Sequence, residues 1–326
     1  MRLMLTSKES VVVRGEAVRA GVLARLAAAV VGGAPRRSRC PALPGLIAIT
    51  LLGSIPECVA AAASVLIGAG DIASCGSNGD EATAAILARH AGIVFTTGDN
   101  VYPDGSSSDF ARCYAPSWGA FRGRTRPAPG NHDYHTAGAA GYFAYFGLRA
   151  GNPQRGYYAY NLGTWRVYVL NSNCSEVGGC ELGSPQERWL RADLARYPRR
   201  CSLAYWHHPL FSSARHGSQP HGLAFWRALY AAGAEIVING HDHVYERFAP
   251  QTPGGILNTA RGIREFVVGT GGKSHYDFPR IRANSRVRDN TTFGVLKLVL
   301  GDGVYSWRFI PEAGKTFTDS GRGLCH

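Results

Sequence analysis

SVLIGAGDIASCGSNGDEATAAILARHAGIVFTTGDNVY, residues 64–102, decides the fold. Its first run, Ser64 to Gly68, is short and apolar and ends at Gly70-Asp71. A loop follows, then Glu81 to His90 with the Ala/Leu/Ile spacing of a helix. Ile93 to Thr97 is a second apolar, β-branched run, ending at Gly98-Asp99. Strand, helix, strand at this length reads as a β-α-β unit, which requires parallel strands in one sheet.

The same grammar recurs downstream. Asp109 to Ala120 reads as a further helix, and Arg126 to Pro129 leads into Gly130-Asn131-His132-Asp133. Tyr157 to Leu162 and Trp165 to Asn171 alternate as a hairpin around Gly163. Ser184 to Tyr197 reads as a helix, with Ser184 as N-cap and Pro185 at the first helical position. Ser202 to Trp206 is a strand ending at His207-His208-Pro209. Leu223 to Ala232 is a helix, and Glu235 to Asn239 a strand ending at Gly240-His241-Asp242-His243. Glu265 to Val268, Gly294 to Leu300 and Val304 to Ile310 complete the strands. With no internal repeat and no low-complexity linker after residue 63, one domain with two sheets is the economical reading.

Five turns therefore share one pattern: an apolar strand, then Asp, Asn or His, with glycine ahead of four of them to allow a tight turn. Ligands of α/β sheets sit outside the carboxyl ends of strands, so these side chains converge. Alone, each has a bland reading. A strand-ending Asp is commonly a helix cap, a His-Asp-His loop is commonly solvated, and Asn131 alone would be a turn residue. Together and in this order they read as a metal centre.

That ordered set resembles the metallophosphoesterases, and within them the purple acid phosphatases. The resemblance lies in Asp71-Ile72-Ala73, Gly98-Asp99-Asn100-Val101-Tyr102, Gly130-Asn131-His132-Asp133, the strand-ending His207, and Gly240-His241-Asp242-His243. It spans roughly residues 65–310. The broader superfamily has Asp-x-His at the first motif. Here the histidine is absent and Tyr102 stands three residues after Asp99, the swap that marks the purple subgroup. Ala73 takes the place of that subgroup's usual glycine.

The resemblance implies an αββα sandwich, of class α+β or α/β, made of two mixed β-sheets flanked by helices. It implies the compact form, without the N-terminal β-sandwich of the large plant-type enzymes. It also implies two metal ions. One would be held by Asp71, Asp99, Tyr102 and His243, the other by Asp99, Asn131, His207 and His241, with Asp99 bridging. A phenol with pKa near 10 ionises only for a strongly Lewis-acidic ion, so Fe(III) suits the tyrosine site. The Asn/His/His site suits divalent Fe, Zn or Mn. His132 and His216, the latter nine residues beyond His207, would orient phosphate or protonate the leaving group. Asp133 would orient His132, His208 would play a supporting role, and His135 and His221 receive none.

The expected activity is hydrolysis of small phosphomonoesters by in-line attack of a metal-bound hydroxide. No serine or cysteine is set up as a nucleophile with a paired base. A phosphodiesterase or nucleotide/pyrophosphate hydrolase using the same site is the alternative. A non-catalytic secreted protein binding phosphate or metal is a third reading.

Composition sets the outer limits. The chain has 326 residues, 45% hydrophobic and 18% charged, which excludes disorder. Its net charge is +12, carried by 35 Lys+Arg against 23 Asp+Glu. No run of five basic residues and no basic helix with interleaved aromatics is present, so nucleic acid is not an expected partner. Residues 36–63, RRSRCPALPGLIAITLLGSIPECVAAAA, run basic, apolar, small, which is the order of an export signal with a cleavage site near Ala63. The uncharged stretch is too short and too proline-rich for a stable membrane span. The expected organisation is a leader over 1–63 and one catalytic domain over 64–326, secreted, periplasmic or at the cell surface. Of eight cysteines, six follow residue 63, an even number suited to disulfides, with Cys174 and Cys180 the readiest pair.

Overall fold

A computed structural model describes residues 62–326. The expected leader, but for its last two residues, lies outside the described residues. In chain order the elements are β1 (Ser64–Ala69), α1 (Gly79–Ala88), β2 (Ile93–Thr97), α2 (Ser107–Asp109), β3 (Thr125–Ala128), α3 (Ala140–Phe146), β4 (Tyr158–Leu162), β5 (Trp165–Val169) and α4 (Pro185–Arg196). They continue with β6 (Ser202–Tyr205), α5 (Leu223–Ala231), β7 (Ile236–Asn239), β8 (Tyr245–Phe248), β9 (Arg264–Val268), β10 (Ser285–Asp289), β11 (Gly294–Gly301), β12 (Val304–Pro311) and β13 (Ser320–Leu324).

Two mixed sheets result. One has the order β13-β12-β11-β1-β2-β3, the other β10-β8-β9-β7-β6-β5-β4. In the first, β1, β2 and β3 are parallel. In the second, β5, β6, β7 and β9 are parallel. Antiparallel strands close the outer flanks.

The period-two alternation of β6 explains the layering. Leu203 and Tyr205 join the core cluster that includes Phe95 of β2 and Leu298 of β11. Ala204 and Trp206 point the other way, into a cluster with Phe225, Trp226 and Leu229 of α5. Aromatic pairs bridge the sheets: Phe95 to Tyr205 at 5.6 Å, Phe266 to Trp307 at 5.7 Å and Tyr245 to Phe309 at 4.5 Å between ring centroids. Burying each such ring is worth about 1.5–3 kcal/mol, so the parallel strands are held where both faces are covered.

Helix α4 begins as its sequence dictates: the Ser184 side chain accepts from the Glu187 N–H, with Pro185 in the first turn. The helix expected over 109–120 differs. Ser106 caps a single turn, α2, which widens into a π-helical turn at Phe110–Tyr114 and stops at Ala115. Phe110, Tyr114, Tyr145 and Phe146 pack together there, and this aromatic cluster rather than a regular helix fills the space. Three disulfides staple the domain: Cys75–Cys113, Cys174–Cys180 and Cys201–Cys325. Among the described residues no helix is long and apolar enough to cross a membrane.

Candidate metal centre

The carboxyl ends of five parallel strands meet. Asp71 follows β1, Asp99 and Tyr102 follow β2, Asn131 and His132 follow β3, His207 follows β6, and His241 and His243 follow β7. Asp71, Asp99 and His241 themselves occupy the left-handed region, with φ of 59°, 49° and 69°. Strain of this kind costs about 1–3 kcal/mol per residue and turns each side chain sharply off its strand. Gly98, with φ of 93°, permits the turn as expected, whereas Gly70, Gly130 and Gly240 have no positive φ and serve close approach instead. Gly240 is required by close approach: a Cβ there would lie 2.5 Å from Asp71 Oδ2.

The side chains are within hydrogen-bond range of one another. The Tyr102 hydroxyl lies 3.1 Å from Asp71 Oδ1, 2.9 Å from Asp99 Oδ2 and 3.1 Å from His243 Nε2. His207 Nε2 lies 3.0 Å from Asn131 Oδ1, 3.4 Å from Asp99 Oδ2 and 3.2 Å from His241 Nδ1. All seven expected ligands are therefore brought together, and Asp99 stands between the two groups. The remaining atoms are tied down by the backbone. Asp99 Oδ1 accepts from the His132 N–H at 2.8 Å, and Asp71 Oδ2 from the His241 N–H at 2.9 Å. His207 Nδ1 donates to the Thr97 carbonyl at 2.8 Å, which leaves Nε2 as a lone pair facing the centre.

This donor set fits metal ions. Acidic oxygens and histidine nitrogens crowd together, and a cation reconciles them. Without one, a proton does the work. Burial lowers the His207 imidazole, but Asp99 beside it outweighs this and carries it up to about 9. Burial raises Asp99, yet His207 and His132 together hold its carboxyl far below the usual range. Burial and the neighbouring His207 and His208 drive His241 far below its ordinary value. Burial and the Asp71 and Asp99 carboxylates push the Tyr102 phenol well above 10. Asp71, Asp99 and His207 place one ligand atom each within 4.8 Å of one another, as do His207, His208 and His241.

His132 and His216 flank this centre. His132 stacks obliquely on Tyr102 at 4.4 Å, its Nδ1 donating to the Pro103 carbonyl at 2.6 Å. His216 lies against the His241 ring at 4.4 Å and meets Tyr276 edge-on at 5.1 Å. Asp133 does not orient His132. Its Oδ2 accepts from Asn100 Nδ2 at 3.0 Å and the Gly130 N–H at 2.8 Å, so it braces the two turns from beneath.

Several neighbours went unread in the sequence. Ser274 Oγ holds His243 Nδ1 at 2.7 Å, and Tyr276 stacks on the His243 ring at 4.0 Å. The Lys273 ammonium lies 4.9 Å from the Tyr102 ring centroid. Ser172, just past β5, holds His208 Nδ1 at 2.8 Å. A sixth strand end thus borders the site. Its Asn171-Ser172-Asn173 follows an apolar strand as the other motifs do, which is the signal that could have revealed it.

Carboxylates, histidines and a tyrosine at the strand ends of two packed mixed sheets define a metallophosphoesterase-type centre. Residues 62–245 match the Calcineurin-like phosphoesterase family, and the chain belongs to it. Purple acid phosphatase 15 of Arabidopsis thaliana is 28% identical over 192 residues, covering 48% of this chain and 35% of that protein. An uncharacterized protein of Mycobacterium tuberculosis, Rv2577, is 31% identical over 186 residues, covering 45% and 35%. The chain thus spans about a third of the length of these curated relatives. Purple acid phosphatase PPD1 from yellow lupin seeds superposes with a TM-score of 0.64 at 20% identity, covering 80% of this chain and 54% of that one. GAP50, the anchor in the inner membrane complex of Plasmodium, superposes at 0.59 with 12% identity, covering 79% and 88%. At these identities the two structures share the fold alone.

Proposed function

We propose that the chain is a dinuclear-metal phosphatase that hydrolyses small phosphomonoesters. The observation carrying this reading is the meeting of seven donor side chains from five strand ends, with Asp99 shared between two groups of them. Asp71, Asp99, Tyr102 and His243 would hold one ion, and Asp99, Asn131, His207 and His241 the other. When bound, the pair of ions supplies Lewis acidity at the phosphoryl oxygens and activates water for in-line displacement.

The chain's own groups complete the reaction. Tyr102 must give up its proton to act as a ligand, and its buried setting between two carboxylates opposes that. Only a strongly Lewis-acidic ion such as Fe(III) overcomes the opposition, while Asn131, His207 and His241 suit divalent Fe, Zn or Mn. With Nδ1 donating to Pro103, His132 would donate from Nε2 to a phosphate oxygen as the imidazolium. His216, stacked on His241, is placed to protonate the departing alkoxide.

Purified protein should hydrolyse p-nitrophenyl phosphate, contain two metals per chain, and absorb in the visible through Tyr102-to-Fe(III) charge transfer. Tyr102→Phe should lose the visible band. Two bound metals with no ester hydrolysed would reject the phosphatase. A colourless, active, all-zinc protein would reject only the iron. Faster turnover of bis(p-nitrophenyl) phosphate would reassign the substrate class to diesters.

The three disulfides support an oxidising compartment. With the basic-apolar-small order of residues 36–63, they support export. N-terminal sequencing of the secreted protein tests this, and a mature chain that begins before residue 40 would refute the signal.

A further inference from the structure

The segment that carries His216 has an unusual suspension. It is held by buried carboxylates rather than by regular secondary structure. The Phe211 N–H donates to Glu265 Oε1 at 3.3 Å, and the Ser213 N–H to Glu246 Oε2 at 2.8 Å. The third support is Asp242, the residue between the two histidines of Gly240-His241-Asp242-His243. Asp242 is wholly buried. Its Oδ1 accepts from the His216 N–H at 2.8 Å and its Oδ2 from the Ser212 hydroxyl at 2.5 Å. The Ser212 oxygen in turn accepts from the Ala214 N–H at 3.1 Å.

Neither oxygen of Asp242 bonds to the turn from which it projects. Both reach across to the 211–216 arm. A buried carboxylate is costly unless its partners compensate, and an apolar side chain would fill the same space without that cost. The partners of Asp242 therefore define what it is for. The ring of His216 lies 4.4 Å from that of His241, the residue directly before Asp242. One rigid turn thus fixes both the His241 ligand atom and the height of the His216 imidazole above it.

We infer that Asp242 is a positioning residue: through its bonds to the His216 N–H and the Ser212 hydroxyl it sets His216 at the distance needed to protonate the leaving group. This rests on the proposed phosphatase reading and on His216 as the proton donor. Asn in place of Asp242 keeps an acceptor for the His216 N–H and offers a donor to Ser212 Oγ. Ala keeps neither. A displaced general acid harms poor leaving groups far more than good ones, because only the former need the proton.

The test compares ethyl phosphate, a poor leaving group, with p-nitrophenyl phosphate, a good one. Asp242→Ala should lower kcat on ethyl phosphate by about 100-fold and on p-nitrophenyl phosphate by about threefold or less, with KM little changed. Ser212→Ala, on the arm and away from the ligand turn, should give the same selectivity at about tenfold. Asp242→Asn should return to within about threefold of wild type. Metal content and visible spectrum should not move in Ser212→Ala and Asp242→Asn, which decide the matter if Asp242→Ala fails to fold or to load metal. Proportional losses on both esters, or Asp242→Asn no better than Asp242→Ala, would overturn the inference. Hydrogen exchange of the 211–217 amides in metal-free protein is the second readout. It should quicken in Ser212→Ala and Asp242→Ala, and unchanged exchange sinks the strut whatever the activity. If wild type hydrolyses no ester while exchange still responds, the role in leaving-group protonation falls with the phosphatase reading, and only the anchoring stands.

Discussion

His207 carries the charge logic of the site in one side chain. Its Nδ1 is committed to Thr97, and its Nε2 faces Asn131, Asp99 and His241. In metal-free protein a proton on Nε2 answers these acceptors, at a pKa near 9 against an unfolded value of 6.5. A raised folded pKa gives stability that is complete below about pH 6.5 and is lost as pH rises through 9. Asp99 is held far down by the same pairing, so its share is complete above its unfolded value of 3.8 and is lost only in stronger acid. The two describe one interaction, counted once, of roughly 3 kcal/mol. Denaturant titrations of metal-free protein should therefore find falling stability from pH 6.5 to 9, with a flatter profile in His207→Gln. Metal must displace that proton, so binding at pH 7 should release it to an indicator dye in weak buffer, less so in His207→Gln. That these seven side chains would gather was legible in sequence, because each follows a strand end by two to five residues. Asp133 was not. Whether it meets His132 or Asn100 depends on how two turns stack, and no local spacing encodes that.

The central parallel strands announced themselves, and the edge strand β4 was read from its alternation, whereas the interior β8 and the edges β10 and β13 were not. β1, β2, β6 and β7 are largely apolar because both of their faces are buried, and runs of apolar residues are easy to read. β10 and β13 went unread, and both are the outermost strands of their sheets. β10 reads SRVRD, with charge that guards a free edge against pairing with another chain. β13 reads SGRGL and shows no alternation of apolar side chains, because its inward positions are glycines. The reason is on its neighbour β12. Trp307 pairs with Gly321 and Tyr305 with Gly323, and the large rings occupy the space a Cβ would need. Gly321→Ala should therefore press on the Trp307 indole and cost about 1–3 kcal/mol. Thermal denaturation checks this. Metal content and visible spectrum should be unchanged, since the strand lies three places from β1 in the sheet order. Unaltered stability would mean that β12 yields more easily than its packing implies.

Across the whole domain, the even count of six cysteines foretold disulfides, but only the short Cys174–Cys180 pairing could be guessed from spacing. The other two join positions 38 and 124 residues apart, and distance in sequence says nothing about which strand ends share an end of the sandwich. Their placement makes them unequal. Cys201 directly precedes β6, at the end opposite His207, and its partner Cys325 follows β13. Cys75 lies four residues beyond Asp71, on the metal side. The chain-entropy account gives roughly 4–5 kcal/mol to each of these long closures. Removal of either should therefore lower the denaturation midpoint by a similar amount. Function should separate them. Cys201→Ser with Cys325→Ser leaves the ligand loops untouched, so metal affinity and the visible band should persist at temperatures where the domain stays folded. Cys75→Ser with Cys113→Ser frees the loop that fixes the strained backbone of Asp71. It should weaken metal binding about tenfold or more, within the range found for residues that orient ligands. Metal titration of both double variants at 10 °C, with folding checked by circular dichroism, decides the point. Equal metal affinities would show that β1 and its bond to β2 hold Asp71 in place without help from the disulfide.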